Sequence, residues 1–190
     1  GLYILGARPA VGKSTFALNL ADKMVGNSLF VSLEMSPEQL LAKRISRETG
    51  FPAARLLSGQ LPEEAWEAVA MATTCIEKSG VFLNSRYDLT VQEIHLLAQS
   101  VPDLRCVFLD YLGLIQPATR GGSTYEQVSA ISRELKRMAI SLNVPVVCLC
   151  QLSRKIEERK DRKPMLSDLR DSGAIEQDAD GVLFLFRDDY

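Results

Sequence analysis

Short apolar segments recur along the whole chain and alternate with segments of helical periodicity. The apolar segments are rich in β-branched and aromatic residues, a composition typical of strands that are buried on both faces of a sheet. The pattern predicts six strands, at residues 2–5, 29–33, 81–83, 106–109, 145–150 and 182–186.

Three of the intervening segments carry signals for the start of a helix. From Ser14 to Val25, apolar residues recur every four positions, which predicts a helix with Phe16, Leu20 and Met24 on one face. The residues from Ser36 to Gln39 supply an N-cap, a proline at the first helical position and a capping-box glutamine. Thr90 to Glu93 form a second capping box, and the helix after it has an apolar face of Ile94, Leu97 and Ala98.

A longer helix is predicted from about Tyr125 to Leu142. Its core stripe consists of Val128, Ile131, Leu135, Met138 and Leu142. Trp66 and Met71 are predicted to pack on helix faces, and the single histidine, His95, to have a half-exposed structural role.

Strands separated by helices predict parallel pairing, hence an α/β fold with a mostly parallel twisted sheet and helices on both faces. With 190 residues and 46% hydrophobic positions, the chain can bury one substantial core, so we expect a single domain over residues 1–190. In such sheets ligands bind beyond the carboxyl ends of the strands.

The composition indicates a soluble protein of the cytoplasm. The chain has no apolar run long enough to span a membrane and no leader-like N-terminus, so we expect no membrane partner. The four cysteines lack metal-ligand spacing and are expected to be reduced core residues, with Cys148 and Cys150 on the same face of one strand. These cysteines are Cys75, Cys106, Cys148 and Cys150.

Residues 7–14, ARPAVGKS, lie directly after a predicted strand and before a predicted helix. This is the P-loop pattern, with Ala7 in place of the usual first glycine. A tight turn and a helix N-terminus aim backbone N–H groups at phosphates, which predicts nucleotide binding. We expect Lys13 to reach the β- and γ-phosphates of ATP and the Ser14 hydroxyl to bind Mg²⁺.

Three further polar residues follow the ends of predicted strands. Asp110 ends an apolar strand, as the Mg²⁺-site aspartate does in nucleotide hydrolases that contain a P-loop. Glu34 follows the strand at 29–33, where it is either the base that orients the attacking water or a helix-entry residue ahead of Ser36. Gln151 ends the strand at 145–150 and can hydrogen-bond the γ-phosphate in the ATP state.

The segment 153–164 is the most basic part of the chain, with six basic and three acidic residues. The formal net charge of the whole chain is −2, so any contact with nucleic acid must be local. The composition of this segment fits a solvated loop of mixed charge and a phosphate-facing loop equally well.

Several blocks in this order and spacing resemble the C-terminal motor domain of the DnaB-type replicative helicases. The blocks are GARPAVGKSTFALNLA, LFVSLEMSPEQL, VFLDYLGLI, EQVSAISRELKRMA, VPVVCLCQLSR and LSDLRDSGAIEQDADGVLFLFRDDY. The resemblance runs from the first strand to the last residue and implies a RecA-like P-loop NTPase fold. It also implies an ATP-dependent DNA helicase that assembles as a homohexamer.

The resemblance implies a role for each matching residue. It favours Glu34 as the catalytic carboxylate, Asp110 as the Mg²⁺-site aspartate and Gln151 as the γ-phosphate sensor. It implies a basic residue nine positions past Glu34 at the nucleotide, which is Lys43 or its neighbour Arg44. The nucleotide-binding residues it implies in the P-loop are Ala10, Val11, Gly12, Lys13, Ser14 and Thr15.

The segment 168–173 resembles the loop that holds the backbone of single-stranded DNA. Arg170 can pair with a phosphate, Gly173 allows a backbone N–H to approach another, and Asp171 replaces the glutamate more common in the family. Backbone contacts carry no base information, as a motor that passes over any sequence requires. The family also implies primase and a helicase loader as partners.

Relative to the family, we expect the chain to lack an N-terminal domain with its linker helix and the strand that carries a trans-acting arginine finger. Two other functions are compatible with a P-loop. One is a RecA- or RadA-like recombination or repair ATPase, against which the segment 168–173 and the EQVSAISRELK block argue. The other is a nucleotide-binding module without hydrolysis, against which Glu34, Asp110 and Gln151 argue.

Overall fold

A computed structural model describes residues 1–84, 86–118, 121–153, 156–157, 159, 161–169 and 173–187. These residues form one six-stranded sheet, in which every strand pair is parallel and the order is β3-β2-β4-β5-β1-β6. The strands are β1 (Leu2–Ala7), β2 (Asn27–Ser32), β3 (Val81–Asn84), β4 (Leu104–Asp110), β5 (Val146–Gln151) and β6 (Gly181–Leu185). All six predicted strands are confirmed.

The helices that connect the strands cover the sheet. They are α1 (Lys13–Lys23), α2 (Pro37–Thr49), α3 (Ala53–Ser58), α4 (Ala65–Glu77), α5 (Val91–Ser100), α6 (Thr124–Leu142) and α7 (Gly173–Asp178). The capping boxes predicted at Ser36 and Thr90 are both formed, and α6 begins with a third, between Ser123 and Glu126. No helix of the described ranges has the length and apolar character needed to cross a bilayer.

Alternate residues of the strands face two separate apolar layers. On one face Phe30 and Phe108 stack at 5.9 Å between ring centroids, under the small residues of α1. On the other face Val107 and Leu109 pack under α5 and α6. The fold is therefore the predicted α/β sheet with helices on both faces.

The predicted stripes of α5 and α6 are confirmed, but the predicted face of α1 is wrong. Ile94 and Ala98 of α5 are buried, as are the central residues of the α6 stripe. In α1 the buried residues are Ala17, Leu18 and Ala21, whereas Phe16 and Leu20 are exposed. The alanines allow α1 to pack close to the sheet, so the larger side chains of this helix point outward.

Some single-residue predictions also differ from the structure. Cys106, Cys148 and Cys150 are buried, and burial raises the pKa of the Cys106 thiol to about 12, but Cys75 is exposed on α4. Trp66 and Met71 are exposed too, because α4 packs mainly against α2 through Ala72 and Ile76. His95 is half-buried, as predicted.

Candidate functional site

The loop between β1 and α1 has the backbone conformation that the P-loop pattern requires. Gly12 is the N-cap of α1 and has a φ of 104°, which is in the left-handed region that glycine adopts without strain. Ala10 also has a positive φ, of 63°. The turn places the first N–H groups of α1, at Lys13 and Ser14, at the end of the helix where anions bind.

A cavity of about 300 Å³ lies beside this loop. Its lining contains most of the residues predicted to bind or act on a nucleotide, although they come from separate parts of the chain. The lining residues are Arg8, Pro9, Ala10, Gly12, Lys13, Ser14, Thr15, Glu34, Lys43 and Gln151. Val11 lies in the same loop but not in the lining.

The sheet order explains why these residues meet. The strands β2, β4, β5 and β1 are consecutive neighbours, and each has a candidate residue at or just beyond its carboxyl end. Gln151 is directly opposite Ala7, where the P-loop begins, and Asp110 is opposite Ser32, two residues before Glu34. The site therefore lies at the edge of the sheet where α/β folds bind ligands.

Asp110 lies beneath this edge and is completely buried. Burial raises the pKa of its carboxyl group, while the nearby Ser14 hydroxyl and the charges of Lys13 and Lys43 act in the opposite direction. Glu34 is close enough for its negative charge to raise that pKa as well. Neither oxygen of Asp110 accepts a hydrogen bond of ordinary geometry from the part of the chain that is described.

The donor set around Asp110 fits a magnesium ion that arrives with a nucleotide. A buried carboxylate without ordinary partners, beside a serine hydroxyl, supplies two oxygen ligands and leaves the others to phosphate and water. Within the described ranges, no group of three His, Cys, Asp or Glu side chains could hold a metal by itself. The site therefore suits Mg²⁺ bound together with phosphates.

Two residues at the site were missed by the sequence analysis. Arg8 occupies a variable position of the P-loop pattern, yet it lines the cavity. Tyr111 follows Asp110 and places its ring 4.7 Å from the Lys13 ammonium, measured to the ring centroid. The tyrosine could be anticipated only as a neighbour of a motif residue, because its contact with Lys13 depends on the order of the strands.

Arg44, the predicted alternative to Lys43, does not line the cavity. It is 3% exposed, and its guanidinium donates to both carboxylate oxygens of Asp22 on α1 and to the Ser79 hydroxyl. Its neighbour Lys43 lines the cavity. Successive helical residues point about 100° apart, so only one of the two can face the nucleotide site.

The predicted DNA-binding residues are only partly described. Arg170 and Asp171 lie outside the described residues. Gly173 begins α7, and a Cβ atom at this position would be 3.2 Å from the Tyr125 hydroxyl of α6. A side chain at position 173 would therefore crowd Tyr125.

The parallel sheet, the P-loop and the strand-end carboxylates together define a P-loop nucleotide-binding domain. The whole chain, residues 1–190, matches the family described as DnaB-like helicase C terminal domain. The chain belongs to this family.

Individual relatives agree with the family assignment. The chain is 43% identical to the replicative DNA helicase DnaC of Bacillus subtilis, over all of this chain and 43% of that protein. It superposes on a solved structure described as an ATPase domain with a TM-score of 0.92 and 37% identity, over all of this chain and 70% of that one. The chain thus spans less than half the length of the helicase DnaC.

A DnaB-like replicative helicase, solved in a study of its interactions with primase, gives a TM-score of 0.93 and 37% identity. This chain is covered completely and that one to 48%. The RadB recombinase gives a TM-score of 0.55 at 17% identity, covering 96% of this chain and 73% of that one, which shows a shared fold alone. The comparisons therefore support the helicase family and not the recombination alternative.

Proposed function

We propose that this chain is the ATP-hydrolysing motor domain of a replicative DNA helicase. The observation that carries the proposal is the cavity at the P-loop, which brings Lys13, Glu34 and Gln151 together above the buried Asp110. A module that only binds a nucleotide needs no carboxylate placed to activate water. The family supplies the biological setting in which this site would act.

Each residue has a distinct task in the proposed reaction. The backbone of the P-loop and Lys13 bind the phosphates, while Ser14 and Asp110 hold Mg²⁺. Magnesium bound there neutralises charge on the phosphates. The Glu34 carboxylate orients the attacking water and accepts its proton, and Gln151 reports the presence of the γ-phosphate to the segment that follows it. Lys43 adds a second positive charge to the same cavity.

We further propose that ATP turnover moves the segment 168–173 along single-stranded DNA. Arg170, Asp171 and Gly173 would hold the DNA backbone in the channel of a homohexamer in the cytoplasm, with primase and a helicase loader as partners. The support is the resemblance of this segment to the family's DNA loop, the family match and the primase study on a similar helicase. An arginine from the neighbouring subunit would complete each ATP site.

The test is the ATPase rate of the full-length protein against the concentration of single-stranded DNA, for the wild type and Glu34→Gln. We expect DNA to stimulate the wild type. Loss of the base should lower kcat by about 10²- to 10⁴-fold while a fluorescent ATP analogue still binds. Glu38→Gln is the matched control, because Glu38 is an exposed carboxylate four residues further along the same segment.

Two results would contradict the proposal. ATPase activity that does not respond to DNA would rule out a DNA motor. Equal ATPase activity of Glu34→Gln and Glu38→Gln would show that Glu34 is not the base.

A further inference from the structure

An ion pair joins the P-loop to the segment that follows β5. The Arg8 guanidinium donates to the Glu157 carboxylate at 2.6 Å, across 149 positions of sequence. The Arg8 side chain is 15% exposed and the Glu157 side chain 48%. Neither residue belongs to the catalytic set proposed above.

Arg8 is placed to sense a nucleotide because it lines the same cavity as Lys13. A guanidinium binds carboxylate and phosphate with the same forked geometry, so a bound triphosphate competes with Glu157 for it. A pair as exposed as this one contributes at most about fivefold to an equilibrium constant. A nucleotide phosphate can therefore displace Glu157.

The residues just before and just after the segment around Glu157 are hydrogen-bonded to each other. Leu152 and Leu169 form an antiparallel bridge, and the Ser153 N–H donates to the Asp168 carbonyl at 2.8 Å. The Arg159 guanidinium donates to both carboxylate oxygens of Asp168, at 3.0 and 2.6 Å. Contacts on the Glu157 side are thus connected to Asp168, where the proposed DNA loop begins.

Ile156, next to Glu157, is completely buried. The Ile156 carbonyl accepts a hydrogen bond from the Arg159 N–H at 3.4 Å. Glu157 is thus connected through its neighbour Ile156 to Arg159, and through the Arg159 ion pair to Asp168.

We propose that the Arg8–Glu157 pair is a nucleotide-sensitive contact that couples the phosphate site to the DNA-binding segment, and that Arg8 exchanges Glu157 for phosphate when ATP binds. The inference rests on the proposed function, since it requires that segment 168–173 binds single-stranded DNA. It adds a second connection to the one proposed for Gln151. Arg8 and Glu157 act here as positioning residues.

The test compares the affinity of the full-length protein for a labelled oligodeoxythymidine with ADP and with a non-hydrolysable ATP analogue. Glu157→Gln removes the ion pair in both states. With ADP, the affinity of this variant should shift about two- to fivefold toward the value that the wild type shows with the ATP analogue. With the analogue, it should match the wild type.

Asp161→Asn is the matched control, because it removes one exposed charge from the same segment and Asn can still accept the hydrogen bond from the Lys163 N–H. We expect this control to keep the wild-type ratio of the two DNA affinities, the one measured with the ATP analogue and the one measured with ADP. Arg8→Gln should change the ratio as Glu157→Gln does, and adding Glu157→Gln to it should change the ratio no further.

The outcomes separate this inference from the proposed function. A wild-type ratio for Glu157→Gln, or additive effects in the double variant, would overturn the coupling role while the helicase proposal stands. Absence of DNA binding by the wild type with either nucleotide would overturn both. A change in absolute affinity that is equal in the two nucleotide states would show a structural role for the pair, and no coupling.

Discussion

Asp110 combines complete burial with two carboxylate oxygens that accept no ordinary hydrogen bond from the described residues. A buried carboxylate whose oxygens lack ordinary hydrogen bonds destabilises a folded chain, and the nearby Ser14 hydroxyl and the charges of Lys13 and Lys43 offset only part of that cost. The Lys13 ammonium lies over the ring of Tyr111, at the place where a phosphate is expected to bind. The site is thus arranged for an ion and a nucleotide rather than for its own stability.

Asp110→Asn should therefore stabilise the protein without nucleotide at neutral pH. Burial raises the pKa of Asp110, so the folded chain keeps this proton to a higher pH than the unfolded chain does. The free energy of unfolding then falls as pH rises from about 3.9, the ordinary pKa of an aspartate, through the raised value in the folded chain. The neutral variant lacks this loss and should melt about 2–4 °C higher at pH 7.5, for a gain of about 1 kcal/mol.

Thermal melts of both proteins across the pH range check this expectation. The advantage of the variant should disappear below about pH 3, where Asp110 is protonated in both the folded and the unfolded chain. A difference in melting temperature that is the same at about pH 3 and at pH 7.5 would show that the charge of Asp110 is not its cause.

At the scale of elements, the relation between α1 and α2 depends on a buried ion pair. Asp22 of α1 has 4% of its side chain exposed and accepts hydrogen bonds from Arg44 and, at 2.8 Å, from Arg47, both on α2. The same two helices carry Lys13 and Lys43 to the cavity. Their packing therefore sets the distance between the two positive charges at the site.

Substitutions of the neighbouring residues Lys43 and Arg44 on α2 should affect ATP binding and folding stability separately. Arg44→Met leaves Asp22 partly uncompensated and should lower the free energy of unfolding by about 3 kcal/mol, the low end for a broken buried pair because Arg47 remains. Lys43→Met should change stability by less than about 0.5 kcal/mol but weaken ATP binding. Urea denaturation and titration with a fluorescent ATP analogue measure the two effects, and equal loss of stability in both variants would contradict the assignment.

The elements also show what could be predicted from sequence. Strands and capped helices were predictable because their signals are local, in the apolar runs and in the boxes at Ser36 and Thr90. The buried face of α1 was not, since alanines pack against the sheet and Phe16 points outward. The choice between Lys43 and Arg44 depended on where α2 meets α1, which no local pattern contains.

At the scale of the whole molecule, the strand order brings the site together. The sequence predicted that Glu34, Asp110 and Gln151 would lie at strand ends, but only the order β2-β4-β5-β1 makes these ends neighbours of the P-loop. The contact of Arg8 with Glu157 has no signal in the sequence, because it joins a variable P-loop position to a loop of mixed charge. Motif residues were thus predictable, while the residues that connect the motifs required the structure.

Because the site is built from four strands and the start of α1, its ligand should stabilise the domain as a unit. A ligand at 100 times its dissociation constant adds about 2.7 kcal/mol to the free energy of unfolding. For a domain of this size, the melting temperature should rise by roughly 5–10 °C with ATP and Mg²⁺. With EDTA in place of Mg²⁺ the rise should be much smaller, because Ser14 and Asp110 then lose the ion they are proposed to share with the phosphates.

Lys13→Met should abolish the rise in melting temperature in both conditions, whereas Glu34→Gln should keep it. A rise that is unchanged by EDTA would contradict the metal assignment, and a full rise in Lys13→Met would place the nucleotide elsewhere.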